Sequence, residues 1–321
     1  MRPCPLPPGE DASSLSIFTR LPAPRQACRG TLPWPGNAVG ADIPIVTPRL
    51  SLSPLISPPR PLDVKRKLKK RSVFSCRRIP FPMLDLSRQE IYRARYRAQR
   101  PGWRPAGEVF NALLEPLLAP AVRALDAGCG RFGVLGRFQD RVGLAVGVDR
   151  DFPSLRENPI LSLRVQARLE ALPFAGGAFD LILCTWVIEH LPEPERAFQE
   201  MARALKPGGH LLLLTPNARH PLMILGRWIP PPWRPALVQR LYGRAPQDIF
   251  PVFYRANTPG KLRRLLREAG LREIAWFAIE DPTYMAFHPL LFALAALYER
   301  LTAWPPLRGW RIHLVGLFRK P

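Results

Sequence analysis

The 321-residue chain is strongly basic and rich in proline, with 47 Lys and Arg against 25 Asp and Glu, a formal net charge of +22 and 40 prolines. Its five cysteines form no Cys-x-x-Cys pair, and its histidines show no metal-ligand spacing, so a disulfide framework and a metal site are disfavoured. No run approaches the roughly 18 apolar residues of a membrane-spanning helix, and the N-terminus lacks a signal-peptide pattern. These observations predict a cytoplasmic protein.

Residues 1–82 have a composition of their own, with 16 prolines and 14 basic against 4 acidic residues. Such a segment cannot bury enough apolar surface to offset its ordering entropy, so we predict a disordered tail before an ordered domain over 83–321. The basic run Lys65–Arg71 indicates a solvated face, with contact to nucleic acid or an anionic membrane as the alternative. A second interpretation is that the functional chain begins at Met83.

Two helices are predicted before the first strand. Ser87 and Glu90 match a capping box, and apolar residues at helical spacing predict a second helix over 107–118. Three aromatic residues of this region, for which we predict packing with a substrate entrance as the alternative, are Tyr92, Tyr96 and Trp103.

A glycine-rich turn follows the first buried strand. The apolar run 122–125 stops at Asp126, before Gly128, Gly130 and Gly133. The first two glycines let the backbone approach a ligand closely, and the third allows a helix to pack tightly on the strand. This spacing also occurs in dinucleotide-binding folds, but those folds usually carry an apolar residue at the position of Asp126. A nicotinamide-dependent oxidoreductase is therefore disfavoured.

Strands and helices alternate after this turn, which predicts an α/β fold with a doubly wound, mostly parallel seven-stranded sheet. Asp149 ends the second strand 19 residues after Gly130, near the spacing at which an acid binds ribose hydroxyls. The later strands are predicted at 161–165, 181–184, 211–214, 271–279 and 311–318, the last antiparallel; the later helices are predicted at 193–205 and from Pro259 to Gly270, with Thr258 as its cap.

Two insertions interrupt this alternation, at about 217–256 and 281–308. Connections of this length are usually lids or binding elements. Phe287–Tyr298 is apolar on nearly all faces, and the first insertion mixes tryptophan, leucine and arginine. We predict helical caps, which either are buried over the site or attach the protein peripherally to an anionic membrane surface.

Five motifs occur in a fixed order: Leu125–Gly130, Gly147–Asp149, Leu172–Phe174 with Phe179-Asp180, Ile188–Leu191 and Leu205–Gly209. Over about residues 120–216 the chain therefore resembles the small-molecule branch of class I methyltransferases, the type 11 group that includes quinone-biosynthesis enzymes. The resemblance implies a Rossmann-like fold, S-adenosylmethionine as cofactor and methyl transfer to a small-molecule or lipid-like acceptor. It says little about either insertion.

The resemblance also implies a cofactor site. Asp126 would brace the loop by accepting amide hydrogen bonds, Cys129 would fill space in it, and Asp149 would take the ribose hydroxyls. The full predicted set is Asp126, Gly128, Cys129, Gly130, Gly133, Asp149, Arg150, Leu169 and Thr185. Arg168 stands where the family often has an acid near adenine, so adenine would be held by groups around Leu169, with lost cofactor binding as the alternative.

His190 lies just beyond the fourth strand, and its titration range suits a general base, with a helix-start role as the alternative. Asn217 is a predicted substrate contact, and Tyr254 and Arg255 are predicted to close the site. A non-catalytic cofactor-binding protein and an RNA-modifying or nucleic-acid-binding protein are the competing functions. The latter is disfavoured because residues 184–187 lack the base-methylation motif and the chain shows no RNA-binding module.

Overall fold

The computed structural model describes residues 86–159, 161–230, 233–242 and 250–321. The predicted disordered tail over 1–82 and the predicted domain start at Met83 lie outside these ranges.

Seven strands of the described chain form one sheet in the order β3-β2-β1-β4-β5-β7-β6. Strands β1 to β5 pair in parallel, and β7 runs antiparallel between β5 and β6. The strands are β1 Arg123–Ala127, β2 Leu144–Asp149, β3 Leu163–Gln166, β4 Phe179–Thr185, β5 Leu205–Pro216, β6 Arg272–Ile279 and β7 His313–Arg319. The predicted fold class, including the antiparallel last strand, is confirmed.

The helices lie between the strands and in the two insertions. The α-helices are α1 Leu86–Gln99, α2 Ala106–Leu114, α3 Phe152–Arg156, α4 Pro194–Ala204, α5 Pro221–Trp228, α6 Arg234–Tyr242, α7 Pro259–Glu268 and α8 Pro289–Leu301. Short 3₁₀ helices cover Glu115–Leu117, Val134–Arg141, Ile188–His190, Pro282–Met285 and Pro305–Trp310. Both insertions are therefore helical, as predicted.

Strand β4 shows why the sheet is covered on both faces. Its consecutive residues Ile182 and Leu183, which point to opposite faces of the sheet, are both fully buried, in two different core clusters. Ile182 belongs to the cluster that contains Phe198 of α4, and Leu183 to the one that contains Phe110 of α2. A strand buried on both faces carries a continuous apolar run, which is the pattern the sequence shows here.

Several element boundaries differ from the sequence expectation. Ser87 lies inside α1 and Glu90 pairs with Arg93 at 2.5 Å, so the predicted capping box is wrong. Strand β5 begins at Leu205 rather than 211, directly after α4. Thr258 occupies the N-cap position of α7 but its side chain makes no capping hydrogen bond.

The three aromatic residues after the tail are buried in one cluster with α8. The rings of Tyr92 and Phe292 lie 4.6 Å apart, and Tyr96 packs edge-on against Trp103 at 5.0 Å. The indole N–H of Trp103 donates to the carbonyl of Glu280 at 2.8 Å. These residues therefore attach the lead-in helices to the second insertion by packing.

Two helices of the insertions, α5 and α8, begin with a histidine cap. The imidazoles of His220 and His288 accept hydrogen bonds from the backbone N–H groups of Leu222 and Leu290, each at 3.2 Å, and so cap α5 and α8.

Within the described residues, no helix combines the length and the apolar character needed to cross a membrane.

Candidate active site

The carboxyl ends of β1, β2, β4 and β5 meet at one edge of the sheet, where open α/β folds bind their ligands. The glycine loop follows β1 at this edge. Gly128 and Gly130 have φ values of +80° and +47°. A Cβ on Gly128 would lie 2.3 Å from Cγ2 of Val187, so only glycine allows this loop to lie against the residues that follow β4.

Asp126 lies beneath the loop and is 1% exposed. Its Oδ2 accepts the backbone N–H of Leu135 at 2.9 Å, and Oδ1 is buried with no partner among the described residues. Burial raises the pKa of this carboxyl to about 6, against the lowering effect of the Leu135 N–H. A Cβ on Gly133 would lie 2.6 Å from Oδ2, so the carboxylate occupies the space that this glycine leaves. The expected hydrogen bond from a backbone amide to Asp126 is thus present. Its donor, Leu135, lies in the 3₁₀ helix that follows the glycine loop.

Asp149 reaches the same loop from the end of β2. Its Oδ2 accepts the N–H of Gly130 at 2.9 Å, and Oδ1 accepts the N–H of Asp151 at 2.9 Å. A carboxylate has about four lone-pair positions, so further donors can bind it. Arg150, the next residue, is exposed, and its carbonyl accepts from Gln166 at 3.2 Å.

Asn158 is a loop-binding residue that the sequence analysis missed. It is 1% exposed, its Nδ2 donates to the carbonyl of Gly130 at 2.9 Å, and its Oδ1 accepts from the N–H of Leu161 at 3.0 Å. The one available signal was the Asn158-Pro159 dipeptide, a common turn former. Gly130 of the loop is therefore held by side-chain hydrogen bonds from two separate segments, at Asp149 and at Asn158.

Two buried thiols lie near this edge. Burial raises the pKa of Cys129 and of Cys184 far above the usual range of a thiol. A Cβ on Gly147 would lie 2.7 Å from Sγ of Cys129, so the thiol is tightly packed against β2. A neutral, packed thiol is a poor nucleophile, in keeping with the predicted space-filling role of Cys129.

Two further predicted cofactor residues lie near strand ends. Leu169, three residues after β3, is buried, and Thr185, the last residue of β4, is half-buried.

Arg168, which stands where the family often has an acid, lies at the surface. The Arg168 side chain is 57% exposed, and its Nε lies 3.4 Å from Oε2 of Glu170. Its guanidinium is therefore paired at the surface.

The Glu189-His190 pair links β4 to the end of the first insertion. Glu189 is buried, its Oε2 accepts from the Thr215 hydroxyl at 3.0 Å, and its carbonyl accepts from the N–H of Phe253 at 2.7 Å. Nδ1 of His190 lies 2.6 Å from the Pro251 carbonyl. Because a carbonyl only accepts, Nδ1 carries the proton. These contacts give both residues a structural role, and the base role of His190 stays a prediction.

Asn217 lies at the end of β5 and is fully buried. Its Nδ2 donates to the carbonyls of Gly309 at 2.8 Å and Arg311 at 2.7 Å, and its Oδ1 accepts from Arg219 at 3.0 Å. The amide thus ties the sheet edge to the second insertion. This geometry favours a structural role over the predicted substrate contact.

Tyr254 and Arg255 close over the connection after β4. The Tyr254 N–H donates to the Glu189 carbonyl at 3.2 Å, and the Tyr254 backbone has a φ of +52°. The Tyr254 hydroxyl lies 3.3 Å from Sδ of Met223 in α5. Arg255 donates to the Pro192 carbonyl at 2.7 Å. The structure thus joins Tyr254 to α5 and to the residues that follow β4, and closure of the site by Tyr254 and Arg255 stays a prediction.

An aromatic cluster at the same edge was also missed. Trp186 follows β4 with a φ of +59° and is 42% exposed. Its ring packs edge-on against His313 at 5.1 Å, and Nε2 of His313 lies 3.2 Å from the Tyr284 hydroxyl. Burial lowers the pKa of His313 to about 3, with further lowering by His220 and Arg93, so the imidazole is neutral. We call Trp186, Tyr284 and His313 the aromatic wall.

A family model described as a methyltransferase domain matches residues 125–213. The ubiquinone biosynthesis O-methyltransferase of Xanthomonas axonopodis pv. citri is 30% identical over 194 residues, which cover 57% of this chain and 72% of that protein. The chain belongs to the class I S-adenosylmethionine-dependent methyltransferases. Its cofactor is S-adenosylmethionine, and its enzymatic activity is methyl transfer.

Other methyltransferases are also similar to this chain. The demethylmenaquinone methyltransferase of Roseiflexus castenholzii is 31% identical over 186 residues, which cover 54% of this chain and 76% of that protein. Among solved structures, an S-adenosylmethionine-dependent methyltransferase from Mesorhizobium loti is 18% identical with a TM-score of 0.43, covering 66% of this chain and 96% of that one.

Proposed function

We propose that this methyltransferase transfers a methyl group to a hydroxyl oxygen on the aromatic ring of a phenolic quinone precursor, in a small-molecule or lipid-linked form. The observation that carries the proposal is the aromatic wall at the sheet edge, in which Trp186 directly precedes Val187, the residue packed against Gly128. The names of the two similar proteins, which both concern quinones, support the same acceptor class.

The residues of the glycine loop fit the cofactor. Gly128 packs directly against Val187, and the open side of the loop is at Gly130, where a Cβ would meet only Oδ2 of Asp149 at 4.0 Å, which leaves room for the methionine part of the cofactor. Asp149 lies beside the loop with its carboxylate at the end of β2, where it would bind the two ribose hydroxyls. Asp126 braces the loop from below, and Leu169 would form an apolar wall for adenine. Arg150 and Thr185 flank this site.

S-adenosylmethionine supplies a methyl group on a positively charged sulfur, which makes that methyl reactive toward a nucleophilic oxygen. The task of the protein is to hold the acceptor oxygen in line, at about 3–3.5 Å from the methyl carbon. The half-exposed indole of Trp186 offers a flat surface against which an aromatic acceptor would pack. The Trp186 backbone has a positive φ, and this uncommon conformation sets the direction in which the indole projects.

Tyr284 would bind the acceptor hydroxyl. Its own hydroxyl is positioned by the neutral imidazole of His313, which is 3% exposed. His190 would act as the base that removes the proton of the acceptor hydroxyl. Because its Nδ1 carries a proton, the lone pair of the ring is on Nε2, which can accept that proton.

An assay of the full chain tests this function. The enzyme is incubated with methyl-labelled S-adenosylmethionine and a catechol that carries a short prenyl chain, and the products are analysed by mass spectrometry. We expect one added methyl group on a ring oxygen. A product methylated on ring carbon, or turnover of amine acceptors alone, would contradict the proposal. The same catechol without its prenyl chain is assayed in parallel, and the difference in turnover gives the contribution of the lipid-like chain.

A further inference from the structure

Helix α8 has one buried and one exposed apolar face. Phe292, Ala296 and Glu299 are at most 7% exposed and face the protein. The opposite face carries four leucines at three- and four-residue spacing, each more than half exposed: Leu290 at 61%, Leu294 at 54%, Leu297 at 53% and Leu301 at 59%. Spacing of this kind places all four side chains in one stripe. A stripe of four exposed leucines is costly in water and indicates a contact surface.

Aromatic and apolar side chains on elements next to α8 are exposed as well. Trp304 follows α8 and is 63% exposed. On neighbouring α5, Leu225 is 63% and Trp228 is 81% exposed. The two helices are in contact, since the rings of His220 and Tyr298 lie 5.3 Å apart. We call the α8 leucines with Leu225, Trp228 and Trp304 the apolar face.

The exposed charges that the structure describes around the apolar face have one sign. Among the described residues of 217–260 and 282–312, Glu299 is the one carboxylate, and it is 1% exposed. Arginines are exposed on the same elements: Arg227 on α5, Arg300 on α8 and Arg308 in the following 3₁₀ helix. The face therefore combines an apolar stripe with an exposed positive rim.

We propose that the apolar face docks on an anionic phospholipid surface, with α8 lying in the interfacial plane. An apolar stripe with tryptophan at its margins and arginine around it matches the layers of a membrane interface, from acyl chains to negatively charged headgroups. A symmetric dimer through the same face is disfavoured, because it would bring two arginine rims together with no exposed carboxylate from the described part of either surface.

The same face adjoins the candidate active site. Met223 of α5 contacts the Tyr254 hydroxyl at 3.3 Å, and the Arg227 guanidinium lies 5.0 Å from the Tyr254 ring. The Tyr254 N–H in turn donates to the carbonyl of Glu189, in the 3₁₀ helix that follows β4. A lipid surface at this face would therefore lie close to the lid, where an acceptor held in the membrane could enter. Docking itself does not depend on the proposed acceptor.

Vesicle flotation of the full chain tests the docking surface. The wild type is compared with the double variant Leu294→Glu/Leu297→Glu on vesicles of phosphatidylglycerol mixed with phosphatidylcholine. High salt is used, because it screens the basic stretch Lys65–Arg71, which is the same in every variant. We expect the wild type to float and the double variant to lose at least about tenfold in vesicle partitioning.

The matched control is Ile274→Glu, which replaces a residue that is 52% exposed near the start of β6, away from the carboxyl edge. It should partition as the wild type does. Calorimetric titration with S-adenosylhomocysteine shows that each variant is folded, and it reports on the cofactor site separately from lipid binding. In low salt, Arg300→Gln/Arg308→Gln should weaken binding to the anionic vesicles and leave the weaker binding to pure phosphatidylcholine unchanged.

Three outcomes would overturn the proposal. The first is a wild type that does not float with anionic vesicles. The second is a double glutamate variant that binds cofactor and floats as well as the wild type. The third is a stable dimer by light scattering that the glutamate pair dissociates without any change in flotation, which would identify a second copy of the chain as the occupant.

Discussion

The Asp149 carboxylate accepts a hydrogen bond from the backbone N–H of Gly130 at 2.9 Å, and so joins the end of β2 to the loop after β1. We expect Asp149→Ala to abolish binding of S-adenosylhomocysteine, because both the loop anchor and the ribose ligand are lost. The free energy of unfolding should fall by only about 1–3 kcal/mol, because two hydrogen bonds are lost, each with a typical net value of about 0.5–1.5 kcal/mol. Calorimetry and urea unfolding measure the two effects.

The matched control for this change is Asp151→Ala. Asp151 lies two residues further on and caps α3 by accepting from the N–H of Ser154 at 3.1 Å. Its loss should also cost about 1 kcal/mol of stability but leave cofactor binding intact. Equal affinities of wild type and Asp149→Ala would remove Asp149 from the cofactor site.

Gly128→Ala should damage the loop by itself. The new Cβ would lie 2.3 Å from Cγ2 of Val187 on a backbone with φ of +80°. We expect a loss of about 1–3 kcal/mol in unfolding free energy together with loss of S-adenosylhomocysteine binding. Gly107→Ala is the control, because no atom lies within 4 Å of the new methyl group in α2, and it should stabilise by about 0.5–1 kcal/mol. Normal affinity of Gly128→Ala for S-adenosylhomocysteine would show that the cofactor site does not require glycine at this position.

Asp126→Asn should change how stability depends on pH. Because the folded pKa of about 6 lies above the ordinary 3.8, the folded chain holds the proton more tightly than the unfolded chain, and wild-type stability falls as pH rises from about 4 to about 6. The asparagine variant lacks this loss, so its advantage should grow by up to about 3 kcal/mol across that window.

The comparison variant for Asp126 is Asp180→Asn. Burial raises the pKa of Asp180, but hydrogen bonds from Lys206 and the Arg123 N–H outweigh this and leave it lowered. The Asp180 carboxylate therefore stabilises the fold above the pKa that this group has in the unfolded chain, and this stabilisation is lost as the pH falls through the lower pKa of the folded chain. Parallel pH profiles for wild type and Asp126→Asn, measured by thermal unfolding, would show that the Asp126 carboxyl is not shifted.

Tyr284→Phe tests the aromatic wall. Since the change removes only the hydroxyl that lies 3.2 Å from His313, we expect methyl transfer to the prenylated catechol to fall at least about tenfold, which corresponds to about 1.4 kcal/mol. Affinity for S-adenosylhomocysteine should stay unchanged. Tyr298→Phe, which loses a hydroxyl bonded to the Trp310 carbonyl at 2.9 Å, is the control and should retain activity. Full activity of Tyr284→Phe would leave Tyr284 without an acceptor role.

Truncation to residues 83–321 tests the proposed domain boundary. We expect the shortened chain to match the full chain in unfolding midpoint and in affinity for S-adenosylhomocysteine, because the sheet and the glycine loop lie entirely within it. A clear fall in either quantity would show that the first 82 residues contribute to the folded domain.

The sheet and the glycine loop were predictable because their signals are local. The run before Asp126 and the spacing to Asp149 place both carboxylates at one sheet edge, where Asp149 accepts from the loop backbone and Asp126 from the 3₁₀ helix that follows the loop. Alternation of strands and helices was enough to predict the layers and the antiparallel last strand.

The acceptor side was less predictable, because its contacts join distant segments. The amide of Asn217 is bonded to the carbonyls of Gly309 and Arg311, far away in the chain, and no local pattern indicates this. The contact between Trp186 and His313 depends on β7 lying beside β5, and the positive φ of Trp186 leaves no trace in the sequence. Polar and aromatic residues of this kind are assigned by tertiary contacts, not by periodicity.

Strand β7 is the last strand along the chain, yet it lies inside the sheet between β5 and β6. During synthesis, β5 and β6 therefore present open edges until residues 313–319 have left the ribosome. Pairing of β7 then closes both edges at once, through contacts of long sequence separation that form slowly. Because His313 begins this strand, the aromatic wall can assemble only after the whole sheet has been translated.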